Sequence, residues 1–296
     1  MGQTVAMLKT KRLNQSSPPF ARPPAELPIG LRAVIPTLLF SLVAINVWPL
    51  LLFKLGVPLA AFAEAIFLGL FLWWASGGGP PRSTRPARTT AFRRSNLSYR
   101  QWVWGLIAAF FFAATIHASM ILLFRLVPFP VAAFRRGYDL SFIASRTLQW
   151  LAVVVSAISA GICEETLFRG YLQRPIERRG PTIAILISSL FFMALHLTKA
   201  WATPVMVPIV FGAGLLLGLL AWSSQSLIPG MIGHILMDIG LFAYWWTGIA
   251  GDFRASTIAV TGVDELFVLA SVVFLTSLSI VLVATTTLRR IQSAPS

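Results

Sequence analysis

The chain has 296 residues, of which 56% are hydrophobic and only 11% are charged. A soluble domain of this length needs more charge to cover its surface, so the composition predicts an integral membrane protein. The single cysteine excludes an intrachain disulfide framework and a cysteine-rich metal site. The formal net charge of +14 lies in segments between apolar runs. This placement predicts orientation in a lipid bilayer and argues against nucleic-acid binding.

Apolar runs of roughly 20 residues are long enough to cross a bilayer as helices. Eight such runs are present, at 34–53, 57–75, 102–124, 144–168, 182–198, 204–222, 227–247 and 265–287. They predict an all-α fold, a polytopic membrane bundle of about eight transmembrane helices. We expect a single transmembrane domain at 34–290. It should be flanked by a disordered basic cytoplasmic tail at 1–33 and a second cytoplasmic tail at 291–296.

The Lys and Arg residues predict the orientation of this bundle. With the N-terminus in the cytoplasm, the cytoplasmic segments hold five in the tail, six in 76–100, four in 169–179 and two at the C-terminal end. That is 17 of the 24 Lys and Arg, against seven on the other side. Because cytoplasmic loops carry the excess of basic residues, we expect both termini in the cytoplasm. We also expect the membrane to be a bacterial cell membrane.

Ionisable residues inside apolar runs point to function, because burying one in hydrocarbon costs at least about 2.5 kcal/mol. They are Glu64, His117, Glu164, Glu165, Arg169, His196, His234 and Asp238. Six of them fall at 144–247, the half of the domain that we expect to enclose a buried polar active-site cavity. For Glu64 and His117 we expect structural roles, Glu64 by local pairing with Arg146 or His117 and His117 by hydrogen bonding in the core.

The spacing of these residues predicts how they meet. Glu165 and Arg169 are four residues apart and should form an ion pair, whereas Glu164 is rotated by about 100° and stays available to face a cavity. A turn is predicted at Gly180, which lies 16 residues after Glu164 and 16 before His196. On antiparallel helices Glu164 and His196 are therefore level with each other.

Three motifs follow one another in the chain. They read Glu164-Glu165-Thr-Leu-Phe-Arg169, Phe192-Met-Ala-Leu-His196 and His234-Ile-Leu-Met-Asp238. The last places His234 and Asp238 on one helical face. Together they resemble the EExxxR, FxxxH and HxxxN or HxxxD pattern of the CAAX-processing and bacteriocin-processing (CPBP, or Abi) family of intramembrane endopeptidases. The resemblance covers the second half of the chain.

The resemblance implies an enzyme, a membrane endopeptidase that hydrolyses peptide bonds. Glu164 would be the general base that activates a water together with His196, and His234 and Asp238 would stabilise the oxyanion. Supporting roles fall to Glu165, Arg169 and Phe192. The substrate would be a membrane-associated or lipidated protein or peptide, for example a prenylated protein or a leader peptide.

Asp238 departs from the asparagine of the eukaryotic members, because an ionised carboxylate cannot donate to an oxyanion. Asp238 is then protonated, or orients His234, or helps to bind a metal. Zinc held by His196, His234 and Asp238 is the metal alternative. A glutamate-type mechanism without a cofactor is favoured, because Glu164 and His196 suffice to make a base.

Two other functions fit the same residues. A non-catalytic membrane immunity or scaffold protein would keep the fold and bind a peptide or a lipidated partner. A proton-coupled transporter would also need Glu and His at mid-depth, but it usually shows internal repeats, and the sequence shows none.

Two further expectations concern helix packing and membrane position. Close helix packing is expected at Gly212, Gly214 and Gly218, and membrane-interface positions are expected for Trp245 and Trp246.

Overall fold

A computed structural model of the chain describes residues 39, 43, 48, 51–52, 54–93, 96–136, 138–197, 199 and 204–293. The predicted tail at 1–33, most of the first predicted span at 34–53, and residues 294–296 lie outside the described residues. Over the described ranges the chain forms helices and no strand, in agreement with the predicted all-α class.

The main helices are, in chain order, α1 Val57–Ala75, α2 Arg85–Ala91, α3 Tyr99–Leu126, α4 Arg146–Glu165, α5 Pro181–His196, α6 Val207–Ser224, α7 Ile228–Gly240 and α8 Glu265–Ser293. Helix α4 continues through a π-helical segment, Thr166–Gln173, and two short turns to Arg179. Helix α7 continues through a second π-helical segment, Leu241–Trp246.

Long apolar helices confirm the predicted membrane bundle. The described stretches that are long and apolar enough to cross a bilayer are Val57–Ala75, Tyr99–Leu126, Arg146–Arg179, Pro204–Ser224, Ile228–Trp246 and Glu265–Ser293, and Pro181–His196 is a shorter apolar helix. Seven of the eight predicted spans therefore coincide with apolar helices. The eighth, at 34–53, falls mostly outside the described residues.

The predicted turn between the fourth and fifth spans is present. Gly180 has φ 125°, in the left-handed region that favours glycine. Pro181 is the first residue of α5, a position where the backbone N–H has no partner within the helix, so proline loses no hydrogen bond there. This turn reverses the chain, so α5 lies against the extension of α4 and runs back toward the middle of the bundle.

Glycines allow close approach of the central helix α7 to its neighbours. A Cβ on Gly161 of α4 would lie 2.6 Å from Ile235 Cγ1, and one on Gly233 would lie 3.1 Å from the Ala109 Cα on α3. Small residues at such positions let helix backbones approach each other in membranes. These contacts fix the rotation of α7 and hence the direction in which its polar side chains point.

The predicted glycine packing on α6 is correct at two of three positions. A Cβ on Gly214 would lie 3.0 Å from Ser189 Cβ, and one on Gly218 would lie 2.9 Å from Gln173 Oε1. At Gly212 the prediction is wrong, because a Cβ there would meet nothing within 4 Å in the described part of the chain.

Trp245 and Trp246 are buried inside the protein, so their side chains do not make the contact with lipid headgroups that the predicted interface position implies. Their exposed fractions are 1% and 3%. The segments that follow α3 and α7 fold back over this end of the bundle and place Phe129 5.4 Å from Trp245 and Phe134 5.6 Å from Trp246 between ring centroids. Packing among aromatic rings therefore takes the place of headgroup contact.

Helix α8 continues into the segment that was predicted as the C-terminal tail. Residues 291–293 belong to α8, although a tail was predicted at 291–296. Gln292 Nε2 donates a hydrogen bond of 2.9 Å to the carbonyl oxygen of Ser224, at the end of α6. This bond ties the last turn of α8 to the bundle and extends the helix past Arg290.

Candidate active site

Glu164 and Glu165 end α4, directly before its π-helical segment. The wider turn of a π-helix shifts the backbone hydrogen bonds, and such segments are frequent at functional sites. Ser188 Oγ of α5 donates to the Phe168 carbonyl oxygen at 2.9 Å. A carbonyl of the widened turn is thereby satisfied from the neighbouring helix, which supports this conformation next to the two carboxylates.

Glu165 bonds to two partners. Its Oε1 lies 3.1 Å from Nη1 of the Arg169 guanidinium, which confirms the predicted ion pair, and both side chains are 0% exposed. The same oxygen lies 2.9 Å from His234 Nδ1, a contact that the sequence did not reveal. A carboxylate at Nδ1 places a proton on that nitrogen and fixes the orientation of the ring. The Nε2 atom of His234 therefore points away from Glu165.

His196 is the last residue of α5. Its Nδ1 lies 2.7 Å from the Phe192 carbonyl oxygen, so Nδ1 carries the proton that this carbonyl accepts. The lone pair of the neutral ring is then on Nε2, which lies 3.7 Å from Glu164 Oε2. Glu164 and His196 are thus level with each other, as the spacing around Gly180 predicts.

His234 and Asp238 bring a third helix to the same place. His234 Nε2 lies 3.8 Å from Glu164 Oε2 and 3.6 Å from Asp238 Oδ2. His234 and Asp238 are both buried. Glu164, His196, His234 and Asp238 therefore converge from α4, α5 and α7, with separations that exceed a direct hydrogen bond.

Phe192 supports both histidines. Its ring centroid lies 4.4 Å from that of His196 and 5.9 Å from that of His234. The Arg169 guanidinium carbon lies 4.5 Å from the same ring centroid, on the face of the ring. Phe192 therefore contacts both imidazoles and the Arg169 guanidinium.

A cavity of about 560 Å³ connects the four polar residues to the protein surface. Its polar base is formed by Glu164, His196, His234 and Asp238. Its walls are largely apolar and include Leu52, Ile116, Met120, Ile209, Met237 and Leu241. The volume and the apolar walls are typical of a site that encloses a small molecule or a short piece of chain.

Zinc held by His196, His234 and Asp238 is the predicted metal alternative. Within the described residues, no three His, Cys, Asp or Glu side chains form a group that could hold a metal ion. The zinc alternative stays a prediction that the metal content of the purified protein decides.

Glu64 and His117 have structural surroundings. Glu64 Oε1 accepts a 2.7 Å hydrogen bond from Ser159 Oγ. Its hydrogen-bond partner therefore differs from the expected Arg146 or His117. Helix packing is the reason, since α1 lies against the middle of α4, where Ser159 is found. His117 packs against α7, where a Cβ on Gly240 would lie 2.3 Å from its Nε2. Neither Glu64 nor His117 is among the described residues that line the cavity.

Polar residues near the surface end of the cavity were missed by the sequence analysis. They are Arg136, Tyr138 and Asp139, between α3 and α4, and Lys199, after α5. The backbone N–H of Lys199 donates to the His196 carbonyl oxygen at 3.0 Å. Because Lys199 follows the motif histidine His196 by only three residues, the sequence could have indicated that Lys199 lies near the site. The other three lie in a loop without a motif, and only the fold brings them to the cavity.

Residues 145–240 match the family model described as type II CAAX prenyl endopeptidase Rce1-like. No curated protein and no solved structure matches the chain. The matched segment starts one residue before α4 and ends with α7, so it contains all three motifs and agrees with the resemblance that they carry. The chain is therefore an integral membrane protein whose residues 145–240 match the Rce1-like family of type II CAAX prenyl endopeptidases.

Proposed function

We propose that the protein is an intramembrane endopeptidase in which Glu164 is the general base. The observation that supports this role most directly is the position of Glu164 Oε2, which is buried and has no hydrogen-bond partner in the described structure. This oxygen faces Nε2 of His196 at 3.7 Å and Nε2 of His234 at 3.8 Å. The separations leave room for a reactant oxygen between the three groups, as a water-activating site requires.

In the proposed reaction Glu164 accepts a proton from a water molecule while the water oxygen bonds to the carbonyl carbon of the scissile peptide. The carbonyl double bond opens, and its oxygen becomes the oxyanion of a tetrahedral intermediate. When the intermediate collapses, the C–N bond breaks, and the proton passes from Glu164, with His196 beside it, to the leaving amine. The products are a new carboxyl terminus and a new amine.

His234 and Asp238 are the proposed donors to the oxyanion. Because Glu165 holds Nδ1 of His234, a second proton on the ring sits on Nε2 and is available to the oxyanion. Asp238 Oδ2 lies 3.6 Å from this nitrogen. Glu165 already orients His234 from the other side, so Asp238 is not needed for that purpose. We assign Asp238 as a protonated carboxyl group that donates the second hydrogen bond.

The substrate is a membrane-associated protein or peptide, either prenylated or carrying a leader. The apolar walls of the cavity suit an apolar or lipidated segment, and the polar base receives the peptide bond. The excess of Lys and Arg in one set of loops supports an orientation with both termini in the cytoplasm. A bacterial cell membrane is the proposed location.

Cells that contain the protein are expected to show new termini in membrane-associated proteins or peptides that are absent from cells without it. The measurement is mass spectrometry of peptide termini in the membrane fraction. Cells that contain the His196→Gln variant at the same level control for the mere presence of a membrane protein. If all three samples share the same termini, the endopeptidase proposal fails and a binding or scaffold role takes its place.

Purified active protein is expected to contain much less than one zinc per chain and to remain active after prolonged chelation. Asp238→Asn is expected to keep substantial activity, because an asparagine amide also donates a hydrogen bond. If His196, His234 and Asp238 held zinc, the same change would remove an anionic ligand and activity would fall sharply. The measurements are zinc per chain and the turnover of Asp238→Asn before and after chelation. One zinc per chain together with an inactive variant would overturn the metal-free assignment and leave the endopeptidase proposal intact.

A further inference from the structure

The loop that follows α1 is built around a buried arginine. Arg88 of α2 is 0% exposed. Its guanidinium donates to the backbone carbonyl oxygens of Trp74, Gly78 and Gly79. The guanidinium carbon also lies 4.6 Å from the centroid of the Trp74 ring. Arg88 therefore fixes the course of residues 76–81, which we call the glycine loop, and its charge is enclosed by that loop.

The glycine loop is also packed tightly against the end of α1. Gly77 and Gly79 have φ of 104° and 59°, in the left-handed region that favours glycine. A Cβ on Gly78 would lie 2.5 Å from the Trp73 carbonyl oxygen, and one on Gly79 would lie 2.6 Å from Cη2 of the Trp73 ring. The loop is thus held in one conformation before a ligand arrives, which lowers the ordering cost of binding.

A surface cavity of about 780 Å³ lies beside the glycine loop. Arg82 and Arg85 line it, and both are exposed. Neither of the two forms an ion pair within the described part of the chain, although other arginines do, for example Arg93 with Glu177. No carboxylate is among the described residues that line the cavity. Two uncompensated positive charges therefore meet at a preformed cavity, which favours an anionic ligand.

The two guanidinium groups are the donors that remain for such an anion. Ser76 and Thr89 also line the cavity. Their hydroxyl groups donate to backbone carbonyl oxygens, at 3.1 Å to that of Trp73 and at 3.0 Å to that of Arg85. A guanidinium presents paired N–H groups that match the oxygens of a phosphate or a carboxylate. The position of the cavity decides between these two anions.

The cavity lies at the end of a helix that is long and apolar enough to cross a bilayer. This helix, α1, ends at Ala75, directly before the glycine loop. Exposed apolar side chains recur on α1 every three or four residues and so form one stripe that ends at the cavity. They are Leu59, Phe62, Ile66, Leu70 and Trp73, with exposed fractions between 51% and 64%. An acyl chain fits such a stripe, and the anionic group that a membrane lipid carries at the end of its acyl chains is a phosphate.

We propose that the cavity beside the glycine loop binds the phosphate group of an anionic phospholipid through Arg82 and Arg85, with an acyl chain along the exposed stripe of α1. Basic pockets beside transmembrane helices bind lipid headgroups. Among the described residues, this cavity shares no lining residue with the active-site cavity. The two regions are joined by Tyr171 of the π-helical segment, whose hydroxyl donates to the Ala75 carbonyl oxygen at 3.2 Å.

Native mass spectrometry of the full chain in a nonionic detergent tests the proposal, with phosphatidylglycerol as the probe. The wild type is expected to bind one phosphatidylglycerol more tightly than further copies and more tightly than zwitterionic phosphatidylcholine. Each arginine beside an anionic lipid contributes a factor of about five in affinity, so Arg82→Gln together with Arg85→Gln should weaken the first binding step about 25-fold. The matched control is Arg289→Gln together with Arg290→Gln, which removes two exposed charges from the end of α8. It should change the first step by less than about twofold.

Equal binding by the wild type and the Arg82→Gln, Arg85→Gln variant would rule out the site, and so would equal losses in both double variants. If the first double variant is poorly folded, its two single changes replace it, each expected to weaken binding about fivefold. Glycerol phosphate, the headgroup without acyl chains, distinguishes the source of the phosphate. We expect that it does not displace the lipid at equal concentration. Displacement at equal concentration would show a site for a soluble phosphate and contradict the lipid assignment.

Discussion

Glu164→Gln is expected to reduce turnover by a factor on the order of 10² to 10⁴ while insertion and thermal stability stay unchanged. Proton transfer by a positioned side chain contributes roughly this factor, and a glutamine amide cannot take a proton from water. Folding should be unaffected, because Glu164 Oε2 has no hydrogen-bond partner that the substitution would remove. The measurement is single-turnover cleavage by purified protein, with the unfolding temperature of the same sample in detergent.

Glu64→Gln is the matched control for this change. Glu64 is also a buried carboxylate in a membrane helix, but it lies on α1 and bonds Ser159 instead of facing the histidines. A glutamine carbonyl oxygen can accept the same hydrogen bond from Ser159. Turnover of Glu64→Gln is therefore expected to stay close to wild type. Equal losses in both variants, or full activity of Glu164→Gln, would contradict the general-base assignment.

Local spacing was enough to predict the pairs that belong to one helix or to one turn. The i,i+4 spacing of Glu165 and Arg169 predicts a shared face, and the ion pair is present at 3.1 Å. The equal distances of Glu164 and His196 from Gly180 predict that the two are level, and they meet at 3.7 Å. Both predictions rest on helix geometry, which the sequence determines through its apolar period and its turn residues.

The contact between Glu165 and His234 could not be predicted in the same way. It depends on the rotation of α7 relative to α4, and the sequence shows only that His234 and Asp238 share a face. The rotation is set by close approach at Gly161 and Gly233, where added Cβ atoms would lie 2.6 and 3.1 Å from neighbouring helices. A glycine in a sequence does not reveal which helix it approaches.

The π-helical segment Thr166–Gln173 was likewise not predictable. Its residues are compatible with a regular α-helix, and the wider turn depends on bonds from other elements. Ser188 satisfies the Phe168 carbonyl oxygen from α5, and Arg93 satisfies the Arg169 carbonyl oxygen from beyond α2.

Glu165→Gln is expected to lower the free energy of unfolding by about 3–5 kcal/mol, the usual effect of removing one partner from a buried ion pair. The glutamine oxygen could still accept one hydrogen bond, but the Arg169 guanidinium would lose its paired negative charge in a fully buried position. His234 would also lose the carboxylate that holds its Nδ1 proton. We therefore expect a partial loss of turnover in the fraction that remains folded. Thermal and denaturant unfolding in detergent measure the first effect, and turnover per folded molecule measures the second.

Asp252→Asn makes the same carboxylate-to-amide change in an ion pair that is not buried. Asp252 pairs with Arg135 at 2.6 Å, and the exposed fractions of the two side chains are 49% and 26%. An exposed pair contributes at most about 1 kcal/mol, because water screens the charges and solvates either partner left alone. The unfolding temperature of Asp252→Asn should therefore remain near that of the wild type, well above that of Glu165→Gln. If the two variants unfold at the same temperature, burial of the Arg169 charge does not make Glu165 essential to the fold. A large loss of turnover in Glu165→Gln without any loss of stability would instead show that Glu165 acts mainly through His234.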